Sequence, residues 1–266
     1  MSIPSDTALL AFATELADKA REIARRYFRT PLDIISKSDD SPVTKADREI
    51  EDTLRNLIRT KRPDDGILGE EFGVIESRNG LTWVIDPIDG TKSFTIGRPT
   101  FGTLIGLCEG ETPILGLIDQ PISKERWIGQ RGQPTTYNGS PVRSRACPAL
   151  KDAIFATGSP SQISKNDPQR FTRLEAATRY PVFQGDCYFY GLLANGFMDV
   201  IAESRLGIYD FIALVPVIEG AGGTITDWQG RPKTLKGDAT VIACGDPQLH
   251  SAALELIGSY DPDAEA

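Results

Sequence analysis

The stretch richest in chemistry is Trp83-Val84-Ile85-Asp86-Pro87-Ile88-Asp89-Gly90-Thr91-Lys92-Ser93-Phe94. An apolar run ends in a carboxylate, proline fixes the next backbone angle, and a second carboxylate follows three residues after the first. Glycine and then a hydroxyl stand at what reads as a helix start. Such a turn aims Asp86, Asp89 and the Ile88 carbonyl at one point, and these hard oxygen donors suit a cation such as Mg2+. It also leaves the Gly90 and Thr91 amides at a helix start, a position that suits a phosphate. Asp-Pro and Asp-Gly are also common turn dipeptides, and Asp89 acting only as a helix cap accounts for the same letters.

Further carboxylates occur in similar settings. Gly69-Glu70-Glu71-Phe72-Gly73 follows a short apolar run, although a solvated acidic loop has the same composition. Tyr209-Asp210-Phe211-Ile212-Ala213-Leu214 sets a carboxylate at the head of a very apolar helix, where an N-cap worth about 1 kcal/mol is the plainer reading. Thr44-Lys45-Ala46-Asp47 reads as another helix start, and Lys37 lies in a polar loop. If Glu70, Asp86, Asp89 and Asp210 converge, four like charges cannot share a site without protons or cations. The chain has one His and four Cys, with no C-x-x-C pair. Zinc sites and histidine-based nucleophilic catalysis are thereby disfavoured, and magnesium is the natural choice.

The elements that must position these groups are legible in the periodicity. Apolar residues at helical spacing over 5–28 (Leu9, Phe12, Leu16, Ala20, Ile23, Tyr27) predict a long amphipathic helix ended by Pro31, and 44–59 predicts a second. Short strands are expected at 66–69 and 81–85, then a meander at 101–108, 112–119 and 126–129, followed by a polar segment at 131–148. The second half mixes strands at 153–157, 198–202, 224–228 and 240–243 with helices at 168–178, 186–195, 210–219 and 247–257. Gly220-Ala221-Gly222-Gly223 follows a helix, so it reads as a helix C-terminus and turn, not a dinucleotide-binding loop.

The 266 residues carry 29 Lys+Arg against 37 Asp+Glu, a net charge of −8. No basic block exists to displace counterions from a nucleic acid, so no nucleic-acid partner is expected, and bisphosphate nucleotides are disfavoured. Acidic and basic residues interrupt the N-terminal apolar pattern, so no signal peptide is read there. No apolar run approaches the ~20 residues of a membrane span. A cytoplasmic protein is expected. Cys108, Cys147, Cys187 and Cys244 read as buried small hydrophobes in a reducing compartment, and His250 as a surface residue.

Taken in order, Lys37, Thr44-x-x-Asp47, Gly-Glu70-Glu71, Asp86-Pro-Ile-Asp89-Gly-Thr91, then Asp210 before an apolar helix and Gly-Ala-Gly-Gly, the motifs resemble the inositol monophosphatase family over about residues 10–258. The resemblance implies an α/β fold, a five-layer α-β-α-β-α sandwich. It implies one unit spanning 1–266 with two packed halves, about 1–145 and 146–260, and a homodimer. The implied activity is metal-dependent hydrolysis of a small phosphate monoester with two or three Mg2+. By the same resemblance Glu70, Asp86 and the Ile88 carbonyl hold a first metal, and Asp86, Asp89 and Asp210 a second. Glu70 also supports a third ion. Asp47 and Thr91 orient the attacking water, the Gly90 and Thr91 amides hold phosphate oxygens, Lys37 sits near the metals, and Glu203 contacts the alcohol. Two cations about 4 Å apart lower the pKa of a bound water and stabilise the departing alkoxide, so no side-chain nucleophile is required.

Within the family, Gly185-Asp186-Cys187-Tyr188-x-Tyr190-Gly191, Glu203 and Tyr209-Asp210-Phe211 look most like the histidinol-phosphate phosphatase branch. Histidinol phosphate carries an ammonium group, which Asp186 and Glu203 are expected to meet. Arg205 has two possible partners, Glu203 or the phosphate. Tyr188 and Tyr190 are read either as core or as stacking partners near the substrate. Inositol phosphates, or a broad range of other small phosphate monoesters, are the alternative substrates. Aspartyl-nucleophile chemistry needs Asp-x-Asp, whereas the spacing here is Asp-x-x-Asp. A non-catalytic metal- or phosphate-binding scaffold is the reading of a different class.

Overall fold

The computed structural model describes residues 6–31, 34–36, 42–165 and 167–258. Lys37 and the acidic tail from Asp261 lie outside them. Helix α1 (Asp6–Tyr27) precedes a hairpin of β1 (Ile34–Ser36) and β2 (Pro42–Thr44), then α2 (Lys45–Lys61). The first sheet follows: β3 (Gly66–Gly69), β4 (Gly73–Ile75), β5 (Leu81–Asp89), β6 (Gly102–Glu109), β7 (Thr112–Gln120), β8 (Glu125–Gln130), β9 (Thr136–Tyr137) and β10 (Ser140–Pro141), with the short helix α3 (Thr91–Thr95) after β5. The remainder is β11 (Ile154–Thr157), α4 (Pro160–Ile163), α5 (Arg170–Ala177), β12 (Tyr180–Phe183), α6 (Tyr188–Ala194), β13 (Val200–Ser204), α7 (Ile208–Phe211), α8 (Leu214–Gly220), β14 (Thr224–Thr226), β15 (Thr240–Cys244) and α9 (Pro247–Ile257). The first sheet runs β10-β9-β8-β7-β6-β5-β3-β4, antiparallel except between β3 and β5, and the second runs β12-β11-β13-β15-β14.

Alternation along the strands creates the layers. Trp83 and Ile85 face α1 and α2, whereas Val84 faces the opposite way into a middle core shared with α6, α7 and α8. In the second sheet Ile201, Val241 and Ala243 face that middle core, and Val200, Ala202 and Ile242 face an outer one with α5 and α9. A strand with both faces apolar is what a sheet covered on both sides requires. The result is the expected α-β-α-β-α order.

The middle helices approach the first sheet to backbone contact because of a glycine row. Gly106, Gly116 and Gly129 stand directly opposite one another on β6, β7 and β8. A Cβ on Gly116 would lie 1.9 Å from the Ala213 carbonyl oxygen, and one on Gly129 would lie 2.1 Å from that of Pro216. The missing side chains form a groove across three strands in which the 212–217 segment lies.

Several expectations change. The helix expected over 210–219 is two helices with a break at 212–213. Pro216 has no N–H to offer the Ile212 carbonyl, so the helix restarts at Leu214 with the proline in its first turn. The helix expected from residue 186 starts at Tyr188, because Asp186 has φ +49°. His250 is half-buried, and its Nε2 lies 2.8 Å from Thr226 Oγ1. The polar segment 131–148 contributes β9 and β10, joined at Asn138-Gly139. Both of these residues have positive φ, as a type I′ hairpin turn demands, so the dipeptide was the available signal. All four cysteines are buried and unpaired.

Candidate active site

Asp86 and Asp89 are three positions apart, and strict alternation would put them on opposite faces of β5. The ladder with β6 resolves this. Asp86 pairs with Leu104 and Asp89 with Gly102, so three steps on β5 match two on β6. This β-bulge turns both carboxylates to one side. Thr103 Oγ1 donates to the Pro87 carbonyl at 2.8 Å, and the Ile88 amide donates to Asp86 Oδ1 at 3.0 Å, fixing the bulged turn.

Asp210 arrives from the second half of the chain. It sits in the first turn of α7, where the Gly207 amide donates to its Oδ2 at 2.7 Å. Asp210 therefore caps the helix from inside its first turn, not from its head. Carboxylate oxygens of Asp86, Asp89 and Asp210 all lie within 4.8 Å of one another. Burial, and then the charges of Glu70, Asp89 and Asp210, push the Asp86 carboxyl well above the usual range. Burial and the charges of Asp186 and Asp210 do the same to Asp89. Among the described residues no Lys or Arg pairs with Asp86 or Asp89. A cluster of hard oxygen donors whose like charges oppose ionisation fits a divalent cation such as Mg2+.

Glu70 follows β3, whose Gly69 lies beside Ile85 in the parallel β3–β5 pair, and its amide donates to the Ile85 carbonyl at 3.3 Å. That register sets Glu70 next to Asp86, outside the tight group of three. Asp47 is buried in the first turn of α2. Its Oδ2 accepts the Thr44 amide at 2.9 Å, and the Thr44 hydroxyl accepts the Ala46 amide, a reciprocal capping box. The helix-start reading therefore holds, yet the other oxygen of Asp47 faces the site. Thr91 Oγ1 lies 3.5 Å from Asp47 Oδ1 and 3.2 Å from the Ile88 carbonyl oxygen. Burial chiefly pushes the Asp47 carboxyl up to about 6. Gly90, with φ +84°, leads directly into α3, so its amide and that of Thr91 stand at the helix start.

A cleft of about 360 Å3 opens from these groups, with Asp89 and Asp210 joined in its lining by Lys92, Arg98, Asp186 and Glu203. Asp186 reaches the cleft, but its Oδ2 accepts the hydroxyls of Ser93 at 2.5 Å and Thr100 at 2.8 Å, and lies 3.6 Å from Arg98 Nη2. The next amide, Cys187, donates to Asp89 Oδ2 at 2.5 Å. Glu203 is half-buried, accepts the Tyr190 hydroxyl at 2.7 Å, and is pushed up to about 7, chiefly by burial. Tyr190 is core with its hydroxyl on Glu203. Tyr188 lies elsewhere, edge-on to Trp127, with its hydroxyl on Glu125. Arg205 is exposed, with φ +63°, and makes no ion pair with Glu203. Sequence reasoning missed Arg98, Ser93, Thr100 and the Cys187 amide. Only the Asp186-Cys187 neighbourhood hinted at them, because they act through long-range contacts.

Comparison with known proteins identifies the family. Residues 5–261 match the model of the inositol monophosphatase family. The bifunctional phosphatase IMPL2 of Arabidopsis thaliana, a chloroplastic protein, is 47% identical over 95% of this chain and 77% of its own length. A histidinol-phosphatase of Chlorobaculum parvum is 37% identical over 88% of this chain and 91% of the relative. The structure of an inositol monophosphatase from Zymomonas mobilis superposes with a TM-score of 0.87 at 45% identity, covering 96% of this chain and 99% of that one. Among the described residues no helix is long and apolar enough to cross a membrane. With a phosphatase fold matched over nearly its whole length and acids from both halves gathered at one cleft, the chain belongs to the inositol monophosphatase family.

Proposed function

We propose that this chain hydrolyses L-histidinol phosphate to L-histidinol and phosphate, using Mg2+ held by Glu70, Asp86, Asp89, Asp210 and the Ile88 carbonyl. One observation carries the choice of substrate. The cleft that Asp89 and Asp210 line also presents Glu203, a carboxylate with no Lys or Arg partner among the described residues. Asp186 on the same wall already has Arg98 beside it, so Glu203 is the group left to receive a substrate ammonium. Relatives named histidinol-phosphatase support this reading.

When bound, the metal ions supply a nucleophilic water at neutral pH and neutralise the departing oxygen. The chain does the rest. The Thr91 hydroxyl and Asp47 orient the water, with Asp47 Oδ1 turned toward the Thr91 hydroxyl. The Gly90 and Thr91 amides hold phosphate oxygens in line for the attack, and Glu203 holds the alcohol half. Inositol monophosphate is the second reading, supported by the 45% identical Zymomonas mobilis structure. Phosphate release from L-histidinol phosphate and from myo-inositol 1-phosphate, at matched concentrations with Mg2+, decides between them. Preference for the inositol ester overturns the histidinol reading, and no turnover on any small phosphate favours a binding scaffold.

A further inference from the structure

Glu70 is carried by a structurally exposed piece of chain. Strands β3 and β4 form a hairpin in which Gly69 pairs with Gly73, and residues 70–72 make its three-residue tip. All three residues of β4 are exposed, and Phe72 at the tip is 50% exposed. Apolar burial therefore does little to fix where this tip lies.

Helix α2 supplies what the hydrophobic core does not. Glu51 is fully buried and turned toward the tip. Its Oε2 accepts the Glu71 amide at 2.7 Å and its Oε1 the Phe72 amide at 3.1 Å. Arg55, one helical turn on, donates its Nε to the same Oε1 at 2.8 Å and its Nη2 to the Gly73 carbonyl. The pair thus holds the tip at Glu71 and Phe72 and the start of β4 at Gly73. The fit is close: a Cβ on Gly69 would lie 2.0 Å from Glu51 Oε1. Asp47, Glu51 and Arg55 follow one another at intervals of four along α2, so they share one face of the helix. That face faces the Thr91 hydroxyl at one end and grips the hairpin at the other.

We propose that Glu51, braced by Arg55, is a positioning residue that holds Glu70 against Asp86 and so builds the first cation site. This inference rests on the metal-site reading above. A carboxylate accepts from two amides and a guanidinium together, whereas a glutamine must turn an NH2 toward at least one of these donors.

The test is Mn2+ binding to the metal-free protein, followed by electron paramagnetic resonance, in wild type, Glu51→Gln and Gly69→Ala. The second variant strikes the same contact from the other side without removing the charge. Expected is at least a tenfold loss of affinity at one Mn2+ site in both variants, with the other site and the far-ultraviolet circular dichroism retained. The Mg2+ concentration for half-activation should rise, while the KM for p-nitrophenyl phosphate at saturating Mg2+ stays within twofold. Wild-type Mn2+ affinity in Glu51→Gln overturns the proposal. If Glu51→Gln does not fold, wild-type affinity in Gly69→Ala overturns it instead. Absence of Mn2+ binding by the wild type is a different outcome, which refutes the metal-site reading itself.

Discussion

Replacing Glu203 with glutamine removes a charge and little else. The amide oxygen can still accept the Tyr190 hydroxyl that now lies 2.7 Å from Oε2, and the side chain keeps its volume. What is lost is the attraction for a cation in a site where burial already holds the carboxyl near pH 7. A hydrogen bond to a charged group contributes about 1.5–3 kcal/mol. At 1.4 kcal/mol per decade this is roughly a 10- to 150-fold fall in kcat/KM for L-histidinol phosphate. p-Nitrophenyl phosphate has no ammonium, so its kcat/KM should change less than about threefold. The ratio of the two also carries a pH signature. Glu203 ionises as pH rises through about 7, so the wild-type preference for histidinol phosphate should grow between pH 6 and 8, and the variant should lose that growth. Phosphate release measured for both esters across this range checks the argument. Equal losses on the two substrates would falsify the assignment of Glu203 to the ammonium.

Asp210→Asn should lower turnover by several kcal/mol of barrier, about 10^3-fold or more, without lowering the melting temperature in EDTA, since it thins a crowded acidic site; near-wild-type phosphate release contradicts the site. Asp86, Asp89, Asp47 and Glu203 all bind protons more tightly folded than unfolded. The metal-free protein should therefore lose stability as pH rises from about 4 through 7, and Mg2+ should flatten that decline. Calorimetry showing rising stability from pH 5 to 8 in EDTA overturns the account. Gly116→Ala drives a methyl into the Ala213 carbonyl, at a cost of about 3 kcal/mol or more, visible as a lower urea midpoint. An unchanged midpoint means the middle helices can lift away from the sheet.

Local features were the legible ones. The capping box at Thr44 and Asp47 and the run from Asp86 to Thr91 are contiguous, so their residue types already state their geometry. The odd spacing of Asp86 and Asp89 could also have signalled a bulge. The Pro216 break was readable in principle, but the unbroken apolar run at 211–218 masked it. Other features depend on register between distant strands or on contacts across the layers. The alignment of Gly106, Gly116 and Gly129 exists only once β6, β7 and β8 are paired. Arg98 and Ser93 meet Asp186 across about ninety residues of sequence, and nothing local announces it. The partnership of Glu51 with the hairpin amides is hidden for the same reason.

The seating of the 212–217 segment on bare main chain has a consequence for how the site is spaced. Asp210 stands on α7 and Asp86 and Asp89 on β5, and the segment that follows Asp210 meets the first sheet with peptide groups touching peptide groups at Gly116 and Gly129. At Gly116 and Gly129 no side chain of the sheet stands between the strands and the segment that follows Asp210. The ruler for the acidic cluster is the backbone itself.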